Sequence, residues 1–165
     1  MAVEFEDYSI RVTEAIEECA LQFLEEAASE IESQAKRNSD FAPRSLKNDW
    51  KHIVDDGKKE ATVGHPKELA LWMEFGTGEF AKNGDGRQGY WIYIEGQGSS
   101  AGSNSKSYSS LEDAKQAMAI LRSKGLPAHI TKGHRPMRML ESAFETKKSK
   151  IIKRAKQIFK EGLSR

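Results

Sequence analysis

Two long amphipathic segments of opposite charge, one at each end of the chain, constrain the fold most strongly. Apolar residues recur at three- and four-residue steps from Ile16 to Ala35, which is the period of a helix with one apolar face. A helix is therefore predicted over about residues 9–37. A second helix is predicted from about Pro136 to Leu163. Its apolar side consists of Leu140, Phe144, Ile151, Ala155, Ile158 and Phe159.

The charges of the two segments are segregated by sign. Residues 1–33 contain ten acids and one base, whereas residues 147–160 contain seven bases and no acid. Two such segments can attract each other within one fold or between neighbouring copies, and the sequence leaves both open. The candidate electrostatic interface comprises Lys147, Lys148, Lys150, Lys153, Arg154 and Lys156.

The middle of the chain contains short segments typical of β-strands. Residues 50–55 and 59–64 flank Asp56-Gly57, which favours a tight hairpin because glycine accepts a positive φ. Residues 90–94 are aromatic or β-branched throughout and are predicted to be a central strand. We therefore predict an α+β fold, with a mostly antiparallel sheet of about four strands and the terminal helices packed on it.

A length of 165 residues fits a single domain spanning residues 1–165. Within it, residues 96–131 begin with a Gly/Ser-rich stretch that is predicted to be flexible. Ser110 with Asp113 matches a helix start, and Gly125 can end that helix. A short strand is then predicted over residues 126–131, where Pro127 suggests an edge strand or the start of a strand.

The most distinctive stretch is Leu69 to Gly78. Leu69, Trp72 and Met73 share one side of a short helix that Gly76 can end, which predicts a small buried apolar plug. The Glu79–Gly89 segment that follows is predicted to be a mobile or partner-ordered loop.

The turn after this short helix is predicted to need one particular backbone conformation. Gly76 and Gly78 bracket Thr77, so that the backbone there can adopt φ > 0 and another chain segment can approach closely. A phosphate-binding loop is disfavoured because the segment lacks a Gly-Lys-Ser/Thr ending. The loop is therefore predicted to be structural or to lie at an interface.

No pattern in the sequence predicts an active site. The four histidines lack the helical i, i+4 spacing and the Cys/His partners of a zinc site, and Cys19 is the only cysteine. We therefore predict that the chain is not an enzyme and that it binds no metal and no cofactor. Nucleic acid is the alternative partner, through the basic last helix. The sequence begins with neither a signal peptide nor a membrane span, which predicts that the chain is made in a cytoplasm and has no membrane partner.

Two motifs resemble a family of tailed-bacteriophage proteins. Residues 71–78, Leu-Trp-Met-Glu-Phe-Gly-Thr-Gly, resemble its valine-glutamate-phenylalanine-glycine-threonine-glycine signature, and Arg135-Pro136 resemble the arginine-proline that opens its last helix. The family comprises tail-completion, head–tail joining (neck) and minor structural proteins, and more distantly the minor tail protein Z of phage lambda. Here residues 96–131 resemble an insertion with an extra helix.

The resemblance implies a virion protein that assembles by binding and shape, without catalysis. It implies action at the head–tail junction or the head-proximal tail end. The implied partners are neck, tail-tube or tail-terminator proteins and further copies of the chain, for which a ring is plausible. The residues implied to form the structural or interface motif are Trp72, Glu74, Phe75, Gly76, Thr77, Gly78, Arg135 and Pro136.

Overall fold

The computed structural model describes residues 8–42, 44–96 and 106–164. In chain order its elements are α1 (Ser9–Asn38), α2 (Arg44–Lys47), β1 (Lys51–Asp55), β2 (Glu60–Gly64), α3 (Glu68–Phe75), a 3₁₀ turn (Gly78–Phe80), β3 (Trp91–Ile94), α4 (Leu111–Ser123), β4 (Ala128–Thr131) and α5 (Met139–Gly162). The α+β prediction with long terminal helices is confirmed.

The chain divides into two compact units. Unit 1 contains the described residues up to Lys67 together with those from Met139 onward, and unit 2 is Glu68–Arg138. The single domain over residues 1–165 stays a prediction. The Gly/Ser-rich stretch that was predicted to be flexible lies largely outside the described residues.

Unit 1 is built on α1, which contacts α5 and both strands of the hairpin. The amide of Asn38 donates a hydrogen bond to the carbonyl oxygen of Met139 at 2.8 Å, so the end of α1 lies beside the start of α5. At the other end, the thiol of Cys19 lies 3.8 Å from the carbonyl oxygen of Ile158. The two amphipathic helices are therefore antiparallel neighbours.

A small polar network closes the core of unit 1. The indole N–H of Trp50 donates to the hydroxyl of Ser39 at 2.8 Å, and this hydroxyl donates to the carbonyl oxygen of Ala35 at 2.7 Å. Trp50 is 3% exposed and Ser39 is fully buried. Because its hydroxyl has partners on both sides, Ser39 can be buried without the penalty of an unsatisfied polar group.

The hairpin has the predicted strands but a different turn. Lys51 pairs with Gly64 and Asp55 with Glu60. The positive φ lies at Lys59 (54°) and not at Gly57, because the turn closes through a hydrogen bond from the N–H of Lys59 to the carbonyl oxygen of Asp56. The sequence argument that assigned this conformation to glycine was wrong.

One histidine joins the hairpin to α1. The Nε2 of His52 lies 3.0 Å from Glu25 Oε1, and its Nδ1 contacts a carboxylate oxygen of Glu32. The hydrogen bond to Glu25, followed by that to Glu32, raises the pKa of His52 above its ordinary value. The ring therefore binds its proton more tightly here than in the unfolded chain.

Unit 2 contains the other two strands. β3 and β4 are antiparallel, with Trp91 opposite Thr131 and Ile94 opposite Ala128. The four strands thus form two separate two-stranded sheets, β1-β2 and β3-β4. Each sheet has its own helix to pack against, because α1 contacts the first and α4 the second. The prediction that β3 is a central strand was wrong, because among the described residues β3 pairs with β4 alone. One isolated bridge joins Tyr90, the residue before β3, to Tyr108.

The predicted starts of the two helices in the second half of the chain lie close to the observed starts. The hydroxyl of Ser110 accepts a hydrogen bond from the N–H of Asp113, which caps α4 as its sequence predicts. The last helix begins at Met139 and not at Pro136, because Arg138 has a φ of 52° that interrupts helical geometry.

Candidate functional site

The two motifs that resemble the phage family meet in unit 2. The N–H of Thr77 donates to the carbonyl oxygen of His134 at 2.8 Å. The N–H of His134 in turn donates to the hydroxyl oxygen of Thr77 at 2.9 Å. Thr77 of the first motif thus forms two hydrogen bonds with His134, which follows β4 and lies 57 positions later in the chain.

Further hydrogen bonds extend this contact in both directions. The N–H of Met137 donates to the carbonyl oxygen of Met73 at 2.7 Å, and the N–H of Glu79 donates to that of Lys132 at 3.0 Å. The ammonium of Lys132 lies 3.1 Å from a carboxylate oxygen of Glu79, and this contact raises the pKa of Lys132. Residues 132–137 therefore hold the C-terminal end of α3 and the turn that follows it.

Four glycines make this close approach possible. A Cβ on Gly78 would lie 2.1 Å from the carbonyl oxygen of Lys132, and one on Gly133 would lie 2.0 Å from that of Thr77. A Cβ on Gly86 would lie 1.9 Å from the carbonyl oxygen of Gly78. We call Gly76, Gly78, Gly86 and Gly133 the glycine junction. No side chain fits at these distances.

The positive φ predicted around Thr77 is confirmed, at 74° for Gly76 and 62° for Gly78. A Cβ on Gly76 would lie 2.8 Å from Pro136 Cδ, so Pro136 is part of the same contact. The guanidinium carbon of Arg135 lies 5.2 Å from the centre of the Phe80 ring, within the range of a cation–π interaction. The structure therefore brings Gly76, Thr77, Gly78, Arg135 and Pro136 together.

The helix before the junction is less buried than its sequence predicts. Ala70 is the buried residue of α3, whereas Trp72, Met73 and Glu74 are half-buried and Leu69 is 43% exposed. The prediction of a buried apolar plug was wrong, because an eight-residue helix that contacts its neighbours mainly at its C-terminal end leaves its first turn uncovered.

Two large apolar residues of α3 face solvent together. Leu71 is 55% exposed and Phe75 is 41% exposed. They are separated by four residues and therefore lie on one face of the helix. Phe75 is also the last residue before the glycine junction, and its carbonyl oxygen accepts a hydrogen bond from the N–H of Lys82 at 2.9 Å. The Leu71–Phe75 face is thus an apolar surface on a fixed backbone.

The charged helices of unit 1 form ion pairs within the chain. Arg154 donates two hydrogen bonds to the carboxylate of Glu26, at 2.6 and 2.8 Å. Glu30 lies 2.6 Å from the Nζ of Lys147 and 3.1 Å from that of Lys150. The guanidinium of Arg154 lowers the pKa of Glu26 to about 2, and the two lysines lower that of Glu30. Opposite charges therefore attract within one fold here.

The remaining basic residues of α5 have no such partner. In the described part of the chain, no carboxylate lies within 4.0 Å of the Nζ atoms of Lys148, Lys153 and Lys156. The Nζ of Lys148 lies 5.9 Å from the centre of the Phe144 ring. The six predicted electrostatic residues are therefore divided into three that form ion pairs within the chain and three that form none in its described part.

The helix pair also borders a groove of about 530 Å³ beside these ion pairs. Phe23, Ala27 and Ile151 contribute apolar atoms to it. Over the residues that the structure describes, no three His, Cys, Asp or Glu side chains are placed to hold a metal ion. The same residues include no helix that is both long and apolar enough to cross a membrane.

A comparison with known protein families finds a match to the first part of the chain. Residues 4–76 match the family model described as "Bacteriophage HK97-gp10, putative tail-component". This segment, less than half of the 165 residues, is similar to a phage tail component. The predicted relation to phage tail and head–tail joining proteins is confirmed, whereas the likeness to the minor tail protein Z of phage lambda stays a prediction. No curated protein and no solved structure matches the chain.

The region that matches the tail-component family ends at Gly76, the first residue of the glycine junction. Its partners in the junction, from Lys132 to Pro136, lie outside that region. Lys132 was not identified from the sequence, because its partner Glu79 lies far away in the chain. Gly86 was not identified because the Glu79–Gly89 segment was predicted to be a mobile or partner-ordered loop, whereas Gly86 packs closely on Gly78. The Gly-His-Arg-Pro run at residues 133–136 directly follows Lys132 and was the signal for that side of the junction.

Proposed function

We propose that this chain is a non-enzymatic virion protein that completes the phage tail or joins it to the head. It acts at the head–tail junction or at the head-proximal end of the tail. It binds neck, tail-tube or tail-terminator proteins, in more than one copy and as part of a ring. Its assembly takes place in the host cytoplasm before it enters the virion.

The exposed Leu71–Phe75 face carries the proposal. An apolar pair on a surface helix costs solubility unless a partner covers it. The hydrogen bonds at Phe75, Thr77 and Glu79 hold this face in one geometry, so a partner that binds it loses little conformational freedom. A fixed apolar face on a tail-component protein suits a docking contact within a particle.

The ion pairs between α1 and α5 bear on the alternative, nucleic-acid binding. Lys147, Lys150 and Arg154 already contact carboxylates, so their charges are partly neutralised. Among the described residues of α5, four exposed lysines (Lys148, Lys153, Lys156 and Lys160) form no ion pair and remain for a phosphate backbone, and the affinity would then fall with salt at about 0.9 log units per phosphate contacted. We therefore favour protein partners over nucleic acid.

Complementation of a phage that lacks this gene tests the proposal. Leu71→Asp with Phe75→Asp should leave the protein folded but reduce infectious particles by at least about tenfold, since two buried charges oppose a contact that is apolar. Ile120→Asp is the matched control, because Ile120 is an exposed apolar residue (58%) on α4 of the same unit. It should restore normal titres.

Two results would count against the proposal. Full complementation by a folded Leu71→Asp, Phe75→Asp protein would show that the face contacts no essential partner. Binding of the purified protein to duplex DNA at physiological salt, together with normal particle assembly by a Lys148→Glu, Lys153→Glu, Lys156→Glu variant, would favour the nucleic-acid alternative. Circular dichroism of each variant establishes that loss of function is not loss of folding.

A further inference from the structure

The histidine that joins the hairpin to α1 lies between two carboxylates of that helix. The Nε2 of His52 lies 3.0 Å from Glu25 Oε1, and its Nδ1 contacts Glu32 Oε2. Glu25 and Glu32 are seven residues apart, so the ring connects two positions about 10 Å apart along α1 at 1.5 Å per residue. The second carboxylate also contacts Lys36. We call Glu25, Glu32, Lys36 and His52 the His52 latch.

Both ring nitrogens of His52 carry a proton in this arrangement. An ionised carboxylate only accepts hydrogen bonds, whereas a neutral imidazole has one donor nitrogen and one acceptor nitrogen. A neutral ring would therefore direct a lone pair at one of the two carboxylates. The imidazolium form donates to both, so the geometry assigns a positive charge to His52.

The charges of the latch alternate in sign along its four residues. The Nζ of Lys36 donates a hydrogen bond to Glu32 Oε1, and the other oxygen of the same carboxylate contacts His52. Burial raises the pKa of Glu32, but the hydrogen bonds from Lys36 and then from His52 outweigh it and hold this pKa below its ordinary value. With a neutral ring, the latch would keep one negative charge without a counter-charge. The side chains of Glu32 and His52 are only 16% and 20% exposed, so water would compensate that charge poorly.

Apolar residues face His52 from the second strand of the hairpin. Val63 lies opposite His52 on β2, and Ala61 continues the same face of that strand. The ring of His65, just after β2, lies against Trp50 with the ring centres 5.2 Å apart. In the described part of the chain, the two carboxylates of the latch are those within 4.0 Å of the His52 ring. The charge that answers His52 thus comes from α1.

The latch is the tighter of two polar connections between the hairpin and α1 among the described residues. The other is an ion pair near the turn, where the Nζ of Lys59 lies 3.8 Å from Glu17. Its side chains are 37% and 57% exposed, so solvent screens their attraction. Ile53, the neighbour of His52 on the opposite face of β1, is 72% exposed. The state of the latch therefore decides how firmly this outer face of the hairpin is held.

We propose that the proton on His52 locks the hairpin on α1, and that the hairpin loosens from α1 when this proton is lost. The hydrogen bond to Glu25, followed by that to Glu32, raises the pKa of His52 above its ordinary value of 6.5. A group with a raised pKa in the folded chain contributes stability that is complete below its unfolded pKa and is lost as the pH rises through its folded pKa. The latch is therefore closed at pH 6.5 and below and opens as the pH rises above that value. The proposal does not depend on the head–tail role.

NMR of the ring nitrogens in the full ¹⁵N-labelled chain tests the charge on His52. In the folded protein at about pH 6.5, both nitrogens should show the shifts of an imidazolium, whereas the same ring in the urea-unfolded chain should be about half protonated. The spectrum of the His52→Gln protein assigns the signals. A neutral or half-protonated His52 ring in the folded chain at this pH would overturn the proposal.

Amide hydrogen exchange tests whether the proton holds the hairpin. The protection factors of the amides in β1 and β2 should fall at least about threefold between about pH 6 and about pH 9, since local opening becomes easier as the latch loses its charge. The amides of β3 and β4 in unit 2 are the internal reference and should keep their protection factors. Unchanged protection of the hairpin across this range would overturn the proposal.

Substitutions at His52 separate its charge from its size. His52→Gln should remove the pH dependence and lower the protection of the hairpin at about pH 6, whereas His52→Lys keeps a positive charge and should hold the hairpin up to about pH 9. His129→Gln is the matched control, because His129 is a strand histidine of unit 2 that lies 3.4 Å from Glu95, and its loss should leave the hairpin unchanged. A folded His52→Gln protein with the wild-type pH dependence, or a His52→Lys hairpin that loosens like that of His52→Gln, would overturn the proposal.

Discussion

Thr77 and His134 are joined by two hydrogen bonds, one from the N–H of Thr77 to the carbonyl oxygen of His134 and one from the N–H of His134 to the hydroxyl of Thr77. The first of these residues follows α3 and the second follows β4. The pair therefore fixes the loop after the Leu71–Phe75 face against the strand pair of unit 2. The motif at residues 71–78 therefore fixes the position of the Leu71–Phe75 face within unit 2.

Thr77→Val should lower the free energy of unfolding by about 0.5–1.5 kcal/mol, since it removes the acceptor for the N–H of His134 and keeps the β-branched shape. Urea denaturation measures the difference. Thr62→Val, at an exposed position of β2, is the control and should have less effect. An equally stable Thr77→Val protein would show that the side-chain bond contributes nothing.

Gly78→Ala should destabilise the fold far more than Gly84→Ala. Both glycines have a positive φ, 62° and 71°, but a Cβ on Gly78 would lie 2.1 Å from a carbonyl oxygen, whereas one on Gly84 has open space. The Gly84 variant should cost about 1 kcal/mol for the backbone conformation alone, and the Gly78 variant several times that amount. Thermal unfolding gives both values, and equal costs would mean that the junction can open without penalty.

The two tryptophans Trp50 and Trp72 should differ in their contribution to stability. Trp50→Ala should cost about 3–5 kcal/mol, because it empties a buried site and leaves Ser39 without a donor. Trp72→Ala should cost less, since Trp72 is half-buried. A larger loss for Trp72, measured by chemical denaturation, would show that the sequence-based expectation of a core residue was correct.

The pair of Glu26 and Arg154 should stabilise the protein in a pH-dependent way. Arg154 lowers the pKa of Glu26 from 4.5 to about 2 in the folded chain, so the contribution is complete above about pH 4.5 and is lost as the pH falls toward 2. Both side chains are 37% exposed and solvent screens their attraction, so Arg154→Gln should lower the free energy of unfolding only slightly at neutral pH.

The unfolding free energies of the wild-type and Arg154→Gln proteins, measured across this range, should converge as the pH falls. Lys153→Gln on the neighbouring position should show no such trend, because no carboxylate lies within 4.0 Å of Lys153 in the described chain. A difference for Arg154→Gln that persists at low pH would assign its effect to packing and not to charge.

Local patterns predicted the elements that depend on neighbouring residues. The period of α1, the cap at Ser110 and the positive φ at Gly76 and Gly78 all follow from residues a few positions apart. The turn at Lys59 shows the limit of this approach, because the position of the closing hydrogen bond, and not the presence of Gly57, decided which residue is left-handed.

Features that depend on distant residues were not predictable in the same way. The sequence contains two glycine-bearing motifs, but their meeting at Thr77 and His134 requires the path of unit 2 between them. The division of four strands into two sheets likewise depends on which helix covers each pair. The opposite charges of α1 and α5 were visible, whereas their pairing within one chain needed the antiparallel helix packing.

Deletion of the gene from the phage, followed by electron microscopy of the lysate, tests the head–tail role most directly. We expect filled heads beside unjoined or defective tails, with joining restored when the wild-type chain is supplied from a plasmid. Normal infectious particles in the absence of the chain would contradict it.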